Sequence, residues 1–463
     1  LAGEIPILDF RSYDPGRYYW IAAWLKLLGK GLANFRISTS IFQFIGLTLA
    51  LLALNKHVKK YWILTIVGIL ITIWVWPYFK VFEVTMCITT IYGLSLLIEK
   101  PSIKRHFLIG IMIGLAGFFG KNTGLYSLLA YILTVSYLLI KKSQDKTLKS
   151  ITSACIGIIT GYLPIIIMIL TIDGFWTAFL KSINRIVSKG ATNLPLPFPW
   201  PWEFQQYTTP AIYSISLGLL FIFIPLFFAY AAILLINKEK NEIKRYSLLA
   251  ASIFAGAPWI HYAFSRADIS HIARVIPSLI IAITTLFFIE KNNKGSKIIK
   301  TFSLIIIIIF SITIIIPKTP LYLKMTLSEE HLSPIQINNS SFLIQTNNAK
   351  IIKNIQKINS TLINPSEELL MIPHLPTLYP ILNRKSPILN SYLIISQSKQ
   401  TQYEEIEQSK NVDWVILCND TFDKREDLLF TNTNPIFYKY LKENFEQIDA
   451  IEISDKCELL KKK

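Results

Sequence analysis

Apolar residues gather into ten long runs over the first two thirds of the chain, at about 33–54, 61–78, 81–98, 106–120, 123–141, 151–171, 211–237, 246–264, 273–290 and 301–316. A helix needs about 20 apolar residues to cross hydrocarbon, fewer where neighbours cover its ends, so each run predicts a transmembrane helix. Ahead of them, Pro6 biases residues 4–13 toward an extended backbone, and Asp14 with Pro15 reads as the cap and first turn of a helix to about Leu28. That helix carries Tyr18, Tyr19, Trp20 and Trp24 with Lys26, which suits the membrane interface. Between the sixth and seventh runs lie an aromatic, basic helix at about 175–189 and the segment Leu-Pro-Leu-Pro-Phe-Pro-Trp-Pro-Trp at 194–202. The segment reads either as a wall over a lipid-facing cavity or as an interfacial belt.

After residue 317 the pattern changes to short apolar runs in polar sequence. Helices are expected at 349–362 and 435–445 and strands at 368–372, 413–418 and 448–453. Alternating strands and helices predict a small α/β domain. The expected architecture is an α-helical polytopic membrane protein, about ten transmembrane helices plus an interfacial helix, with a small C-terminal extracytoplasmic α/β domain. Residues 1–316 form the membrane domain and 317–463 the second domain.

Charge orients the bundle. Of the 463 residues 52% are apolar and only 17% charged, with a formal net charge of +17. The basic excess lies before residue 317, in five loops: Lys56, Lys59 and Lys60; Lys100, Lys104 and Arg105; Lys141, Lys142, Lys146 and Lys149; Lys238, Lys240, Lys244 and Arg245; Lys291, Lys294, Lys297 and Lys300. Ten crossings place all five on one side, which is read as cytoplasmic in the inner or plasma membrane. The basicity thus reports membrane topology and predicts no nucleic-acid partner. Cys418 and Cys457 alone lie in polar sequence; both end or follow candidate strands and could pair in an oxidising outer compartment, but two thiols are the expectation because spacing by itself does not bring them together.

The opposite, outer side receives residues 1–32, the turns near Glu83, Lys121 and Arg266, and everything after 317. Ionisable groups near membrane depth usually face a cavity or each other, although any one of them can also snorkel to the interface. Asp9 and Glu83 are therefore candidate catalytic carboxylates, and Arg11, Arg17, Lys121, Arg266, Asp268, His271 and Arg274 candidate substrate-binding residues. Asp9 has an alternative as the structural partner of Arg11 or Arg17. His271 and Asp268 are only three residues apart with no cysteine nearby, so no closed metal site is predicted; a single divalent cation held by carboxylates stays open.

The opening Gly-Glu-Ile-Pro-Ile-Leu-Asp-Phe with Asp-Pro-Gly-Arg-Tyr-Tyr-Trp at 14–20 resembles the first external loop of GT-C type membrane glycosyltransferases, which include the aminoarabinose transferase of lipid A and the protein O-mannosyltransferases. Phe-Ser-Arg-Ala-Asp-Ile-Ser-His-Ile-Ala-Arg-Val-Ile-Pro at 264–277 and Pro-Thr-Leu-Tyr-Pro-Ile-Leu-Asn-Arg at 376–384 resemble later segments of that family. The resemblance implies transfer of a sugar from a polyprenyl-phosphate donor to a lipid, glycan or protein acceptor outside the cytoplasm, with inversion. In that family a catalytic acid lies just after the first transmembrane helix, shortly before the segment that begins here at Leu1. The chain is therefore expected to be a fragment lacking its first transmembrane helix. Two other classes compete: a lipid or solute transporter, which should show internal repeats, and a non-catalytic anchor for the outer domain.

Overall fold

The computed structural model describes residues 3–75, 80–144, 147–189, 194–204, 208–290, 294–327, 331–337, 340–390 and 392–463. The expected turn residues Pro77, Tyr78 and Phe79, and the loop lysines Lys146 and Lys291, lie outside them. The chain forms two units: Tyr13–Leu28 with Asn34–Met325, and Leu1–Ser12, Gly29–Ala33 and Thr326–Lys463.

The first unit is helical. In chain order it holds α1 (Pro15–Leu28), α2 (Leu32–Asn55), α3 (Tyr61–Trp74), α4 (Val81–Glu99), α5 (Ile103–Phe119), α6 (Lys121–Ile140), α7 (Thr147–Gly161), α8 (Leu163–Thr171), α9 (Phe175–Lys189), α10 (Thr209–Ile236), α11 (Ser247–Phe264), α12 (Ile269–Ile272), α13 (Ile276–Ile289) and α14 (Lys294–Phe310). Every one of the ten apolar runs is mostly helical among its described residues. Among the described residues six helices are long and apolar enough to cross a membrane, and the α7–α8 pair makes a seventh, while α3 and α13 are apolar but shorter. The protein is thus a polytopic helical membrane protein. The run expected as one helix at 151–171 is bent by 52° between α7 and α8. Pro164 in the first turn of α8 lacks the N–H that would continue α7, which accounts for the bend.

Helices α4 and α11 are buried along most of their length and form the centre of the bundle. Helices α5 and α7 cross at glycines: a Cβ at Gly110 would overlap the Ala154 carbonyl, and one at Gly157 the Phe107 carbonyl. Such small-residue crossings let backbones touch where lipid gives no hydrophobic drive. The lysine-rich loops meet at one end of the bundle. Lys56 pairs with Glu99 at 2.7 Å, Ser153 donates to the Ile103 carbonyl at 3.0 Å, Lys141 to that of Ile236 at 2.7 Å, and Lys238 pairs with Glu290 at 3.1 Å. Lys141 and Lys300, which reaches the Glu290 carbonyl at 2.9 Å, neutralise helix C-termini, where cations are favoured.

In the second unit, β1 (Leu332–Ile337) and β2 (Ser340–Gln345) form an antiparallel hairpin. A separate sheet has the order β3 (Leu369–Ile372), β4 (Trp414–Cys418), β6 (Cys457–Lys462), β5 (Phe445–Gln447), with β3 and β4 parallel. Alternate residues serve two cores, as the pleat dictates. Leu369, Met371, Trp414 and Ile416 pack with Ile355 and Ile358 of helix Thr346–Thr361, while Leu370, Ile372, Val415 and Leu417 pack with Phe437 and Leu441 of helix Pro435–Asn444. The strand expected at 448–453 is not formed; the chain pairs earlier, in β5, and later, in β6.

Residues 4–13 also depart from expectation. They close a turn, with the Ile5 N–H donating to Asp9 Oδ2 at 2.7 Å and the Asp9 N–H to the Ile5 carbonyl at 2.9 Å. The expected thiols are a disulfide, because β4 and β6 set Cys418 directly opposite Cys457. Non-reduced peptide mass spectrometry should recover the linked pair. The bond closes a loop with a sequence separation of 39, so the Cys418→Ser/Cys457→Ser variant should lose about 4 kcal/mol of stability in calorimetric unfolding. An unchanged transition would show that the bond does not constrain the unfolded chain.

Candidate functional site

The end of the bundle opposite the lysine-rich loops collects buried charge. Helix α4 opens with Glu83 in its first turn and Lys80 as the preceding cap residue, and both are buried. Helix α1, starting at Pro15, brings Arg17 to them: its Nη2 lies 3.3 Å from Glu83 Oε1 and donates to the Phe119 carbonyl at 3.1 Å. The Tyr13 ring lies under that guanidinium at 4.5 Å. Lys80 Nζ lies 3.4 Å from the Tyr262 hydroxyl at the end of α11. Arg274, between α12 and α13, sits 4.0 Å above the centre of the Tyr262 ring. Arg17, Arg274 and Lys80 all act electrostatically on Glu83, so three cations surround one carboxylate.

Arg274 is the anomaly in this cluster. It is 0% exposed, yet Nε, Nη1 and Nη2 have no hydrogen-bond partner. A buried guanidinium without an acceptor costs several kcal/mol, and the face of Tyr262 returns only about 2 kcal/mol of it. Glu83 Oε2 is likewise buried without a hydrogen bond. Lys80, at the head of α4, shares the strain: burial first and Arg274 second lower its ammonium from the usual range to about 7, against the pull of Glu83.

Next to the cluster, the Asp268 side chain caps α12 through the His271 N–H at 2.9 Å. It also accepts from Arg266 Nε at 2.5 Å and Ser270 Oγ at 2.7 Å, and lies 2.7 Å from His271 Nδ1. Burial would raise the Asp268 carboxyl, but the bonds from His271, Ser270 and Arg266 hold it well below the carboxylate range. Burial also pushes the His271 imidazole down, opposed by Asp268. Arg266 Nη1 reaches the Leu194 carbonyl at 2.9 Å, anchoring the proline-rich segment. There Phe198, Trp200 and Trp202 stack in series at 5.1 and 5.3 Å, and Phe198 rests on Phe264.

The expected site residues therefore separate into three groups. Arg17, Glu83 and Arg274 come together, with Asp268, His271 and Arg266 beside them. Lys121 is committed to Asp14, whose carboxylate takes both its Nζ and, at 2.8 Å, its backbone N–H. Asp14 thus caps α6 and not the helix it precedes. Asp9 and Arg11 belong to the other unit, where Asp9 holds its own turn and Arg11 lies 3.8 Å from the buried Glu405. In that unit the 376–384 segment is structural: Tyr379 accepts from the Met371 N–H at 2.8 Å, and Arg384 donates to the Glu367 carbonyl at 2.6 Å.

Lys80, Tyr13 and Tyr262 were not among the expected residues. Lys80 carried a readable signal, being a lone cation three residues before Glu83 at the head of an apolar run. Among the described residues no group of three or more His, Cys, Asp or Glu comes together, and the Asp268–His271 pair is taken up by Arg266 and Ser270.

No protein-family model matches the sequence, and no curated protein matches it. Among solved structures, ArnT from Cupriavidus metallidurans in the apo state superposes with a TM-score of 0.52, at 11% identity over 98% of this chain and 88% of that one. The same protein bound to undecaprenyl phosphate gives a TM-score of 0.54 at the same identity and coverage. An oligosaccharyltransferase from Archaeoglobus fulgidus, at a TM-score of 0.41, is too distant to bear on the fold. At 11% identity the likeness is one of architecture, and the chain has the fold of ArnT, the fold expected from its resemblance to the GT-C membrane glycosyltransferases.

Proposed function

We propose that this protein transfers a sugar from a polyprenyl-phosphate donor to an acceptor on the extracytoplasmic side of the membrane. The observation that carries the reading is Arg274, a fully buried guanidinium whose three nitrogens lack acceptors, set with Lys80 and Arg17 around a single carboxylate. With Arg17 paired to Glu83 and Lys80 pushed toward neutrality, Arg274 is left without an acceptor, and the cluster calls for an anion. Fixed cations at the membrane edge suit a lipid phosphate that gains charge as its bond to the sugar breaks. ArnT, which shares the fold, has been captured with undecaprenyl phosphate. The Cys418–Cys457 disulfide supports an oxidising, extracytoplasmic setting for the C-terminal unit.

Each residue then has a task. Arg274 and Lys80 hold the phosphate, Arg17 fixes Glu83 Oε1, and Glu83 balances the cluster when no lipid is bound. Glu83 Oε2, which carries no hydrogen bond, can accept one from an acceptor hydroxyl. Asp9 is left as a turn residue, and Arg266 and Lys121 as positioning residues with partners of their own.

The test is sugar transfer by the native protein in proteoliposomes, supplied with a panel of sugar-labelled polyprenyl phosphates. Release of polyprenyl phosphate should keep step with glycosylation of the acceptor. Lipid carried across the bilayer with its sugar still attached would overturn the reading in favour of a transporter. A pH dependence also follows. An anion raises the pKa of Lys80, so binding takes up a proton above about pH 7 and weakens as pH rises through that value. The methyl ester of undecaprenyl phosphate, whose phosphate does not titrate there, should bind up to tenfold more weakly per pH unit above 7, and Lys80→Met should bind with a flat profile.

A further inference from the structure

His271 is a second buried group with an unmet valence. Its Nδ1 lies 2.7 Å from Asp268 Oδ1, while Nε2 is buried and has no hydrogen-bond partner. Because Asp268 is held ionised by Arg266 and Ser270, it can only accept, so the neutral ring carries its proton on Nδ1 and leaves Nε2 bare. The ring lies parallel to Tyr262 at 5.0 Å and 9°, and Arg274 rests 4.0 Å from the centre of the same Tyr262 ring. Imidazole and guanidinium therefore both lie against Tyr262, with their centres at most about 9 Å apart. The charged groups acting on His271 are Asp268 on its own turn, Arg274 beyond it, and Lys80 at the head of α4.

Resting on the lipid-phosphate reading above, we infer that His271 is a charge-selective donor of that site: Nε2 takes up a proton and hydrogen-bonds the phosphate only when the phosphate is the dianionic monoester. The donor lipid is a phosphodiester with one negative charge, which Arg274 and Lys80 meet. The released polyprenyl phosphate is a monoester with two. The second charge, in a site poor in water, draws a proton onto Nε2, and Asp268 stabilises the imidazolium that results. His271 thereby holds product more tightly than donor and makes the enzyme sensitive to accumulated polyprenyl phosphate. Burial, which keeps the ring neutral in the empty site, provides the contrast between the two states.

The experiment uses the wild-type protein in nanodiscs with nitrogen-15-labelled histidine at pH 8, titrated with undecaprenyl phosphate or with its methyl ester. With undecaprenyl phosphate the His271 Nε2 resonance should move from the unprotonated to the protonated range; with the methyl ester, bound at the same site, it should stay. In a parallel binding assay His271→Gln should lose about tenfold of its preference for the monoester over the ester and keep its affinity for the ester. Binding of undecaprenyl phosphate that depends on Arg274 yet leaves Nε2 unprotonated would overturn this inference alone. Failure of both lipids to bind would overturn the functional reading and this inference with it.

Discussion

Arg274→Gln should make the protein more stable and functionless at once. The native guanidinium is fully buried with no acceptor for Nε, Nη1 or Nη2. Removing a buried charge that has no hydrogen-bond acceptor relieves a penalty of several kcal/mol, less about 2 kcal/mol for the lost contact with Tyr262 and the lost attraction to Glu83. A net gain of about 1–3 kcal/mol is expected, visible as a melting temperature higher by several degrees in the lipid-free protein. The same change removes a charge-assisted contact of about 1.5–3 kcal/mol to phosphate, in a setting where no water replaces it. Affinity for undecaprenyl phosphate should fall about a hundredfold, and turnover with it. Thermal melting and lipid binding measured on one preparation separate the two effects. A destabilised variant that binds normally would mean that Arg274 is structural.

Glu83→Gln should move in the opposite direction on both counts. Glu83 is the carboxylate of the cluster, and Arg17 is its partner at 3.3 Å with little access to water. Breaking a buried pair from one side costs about 3–5 kcal/mol. The Phe119 carbonyl and the Tyr13 ring still serve Arg17, which sets the expected loss near the lower figure. With the negative charge gone, three cations face an incoming phosphate unopposed, so undecaprenyl phosphate should bind more tightly than to the native protein. Saturating lipid should therefore raise the melting temperature of Glu83→Gln by more than it raises that of the native chain, because a ligand stabilises in proportion to the logarithm of its saturation. Equal shifts in the two proteins would place the lipid away from Glu83.

The membrane architecture was legible because burial in lipid demands long apolar runs, and the described residues of the ten runs are mostly helical, one run as the bent pair α7–α8. What the runs did not show is where a helix bends, since the cause, Pro164, sits in an unbroken apolar stretch. In the C-terminal unit the buried strands β3 and β4 were legible as apolar runs, whereas β6 was hidden by its lysines: only Leu459 and Leu460 are buried there. That missed strand is also why Cys418 and Cys457 read as separate thiols. Within the candidate site, the residue types at Arg17, Glu83 and Arg274 were readable as costly intramembrane charges. Their division of labour was not, because it depends on which cation finds a partner. Lys121 finds Asp14, Arg266 finds Asp268, and Arg274 finds the face of Tyr262 and the field of Glu83 but no hydrogen-bond acceptor. Three-dimensional pairing decides this, and separations such as the 66 residues from Arg17 to Glu83 leave no local trace.

The buried cations are proposed to hold a lipid phosphate. The most direct measurement is an experimental structure of the native protein with undecaprenyl phosphate bound. Phosphate oxygens are expected within hydrogen-bonding distance of the Arg274 guanidinium and Lys80 Nζ, with Glu83 still on Arg17. Lipid phosphate bound elsewhere, with the Arg274 nitrogens still lacking acceptors, would contradict it.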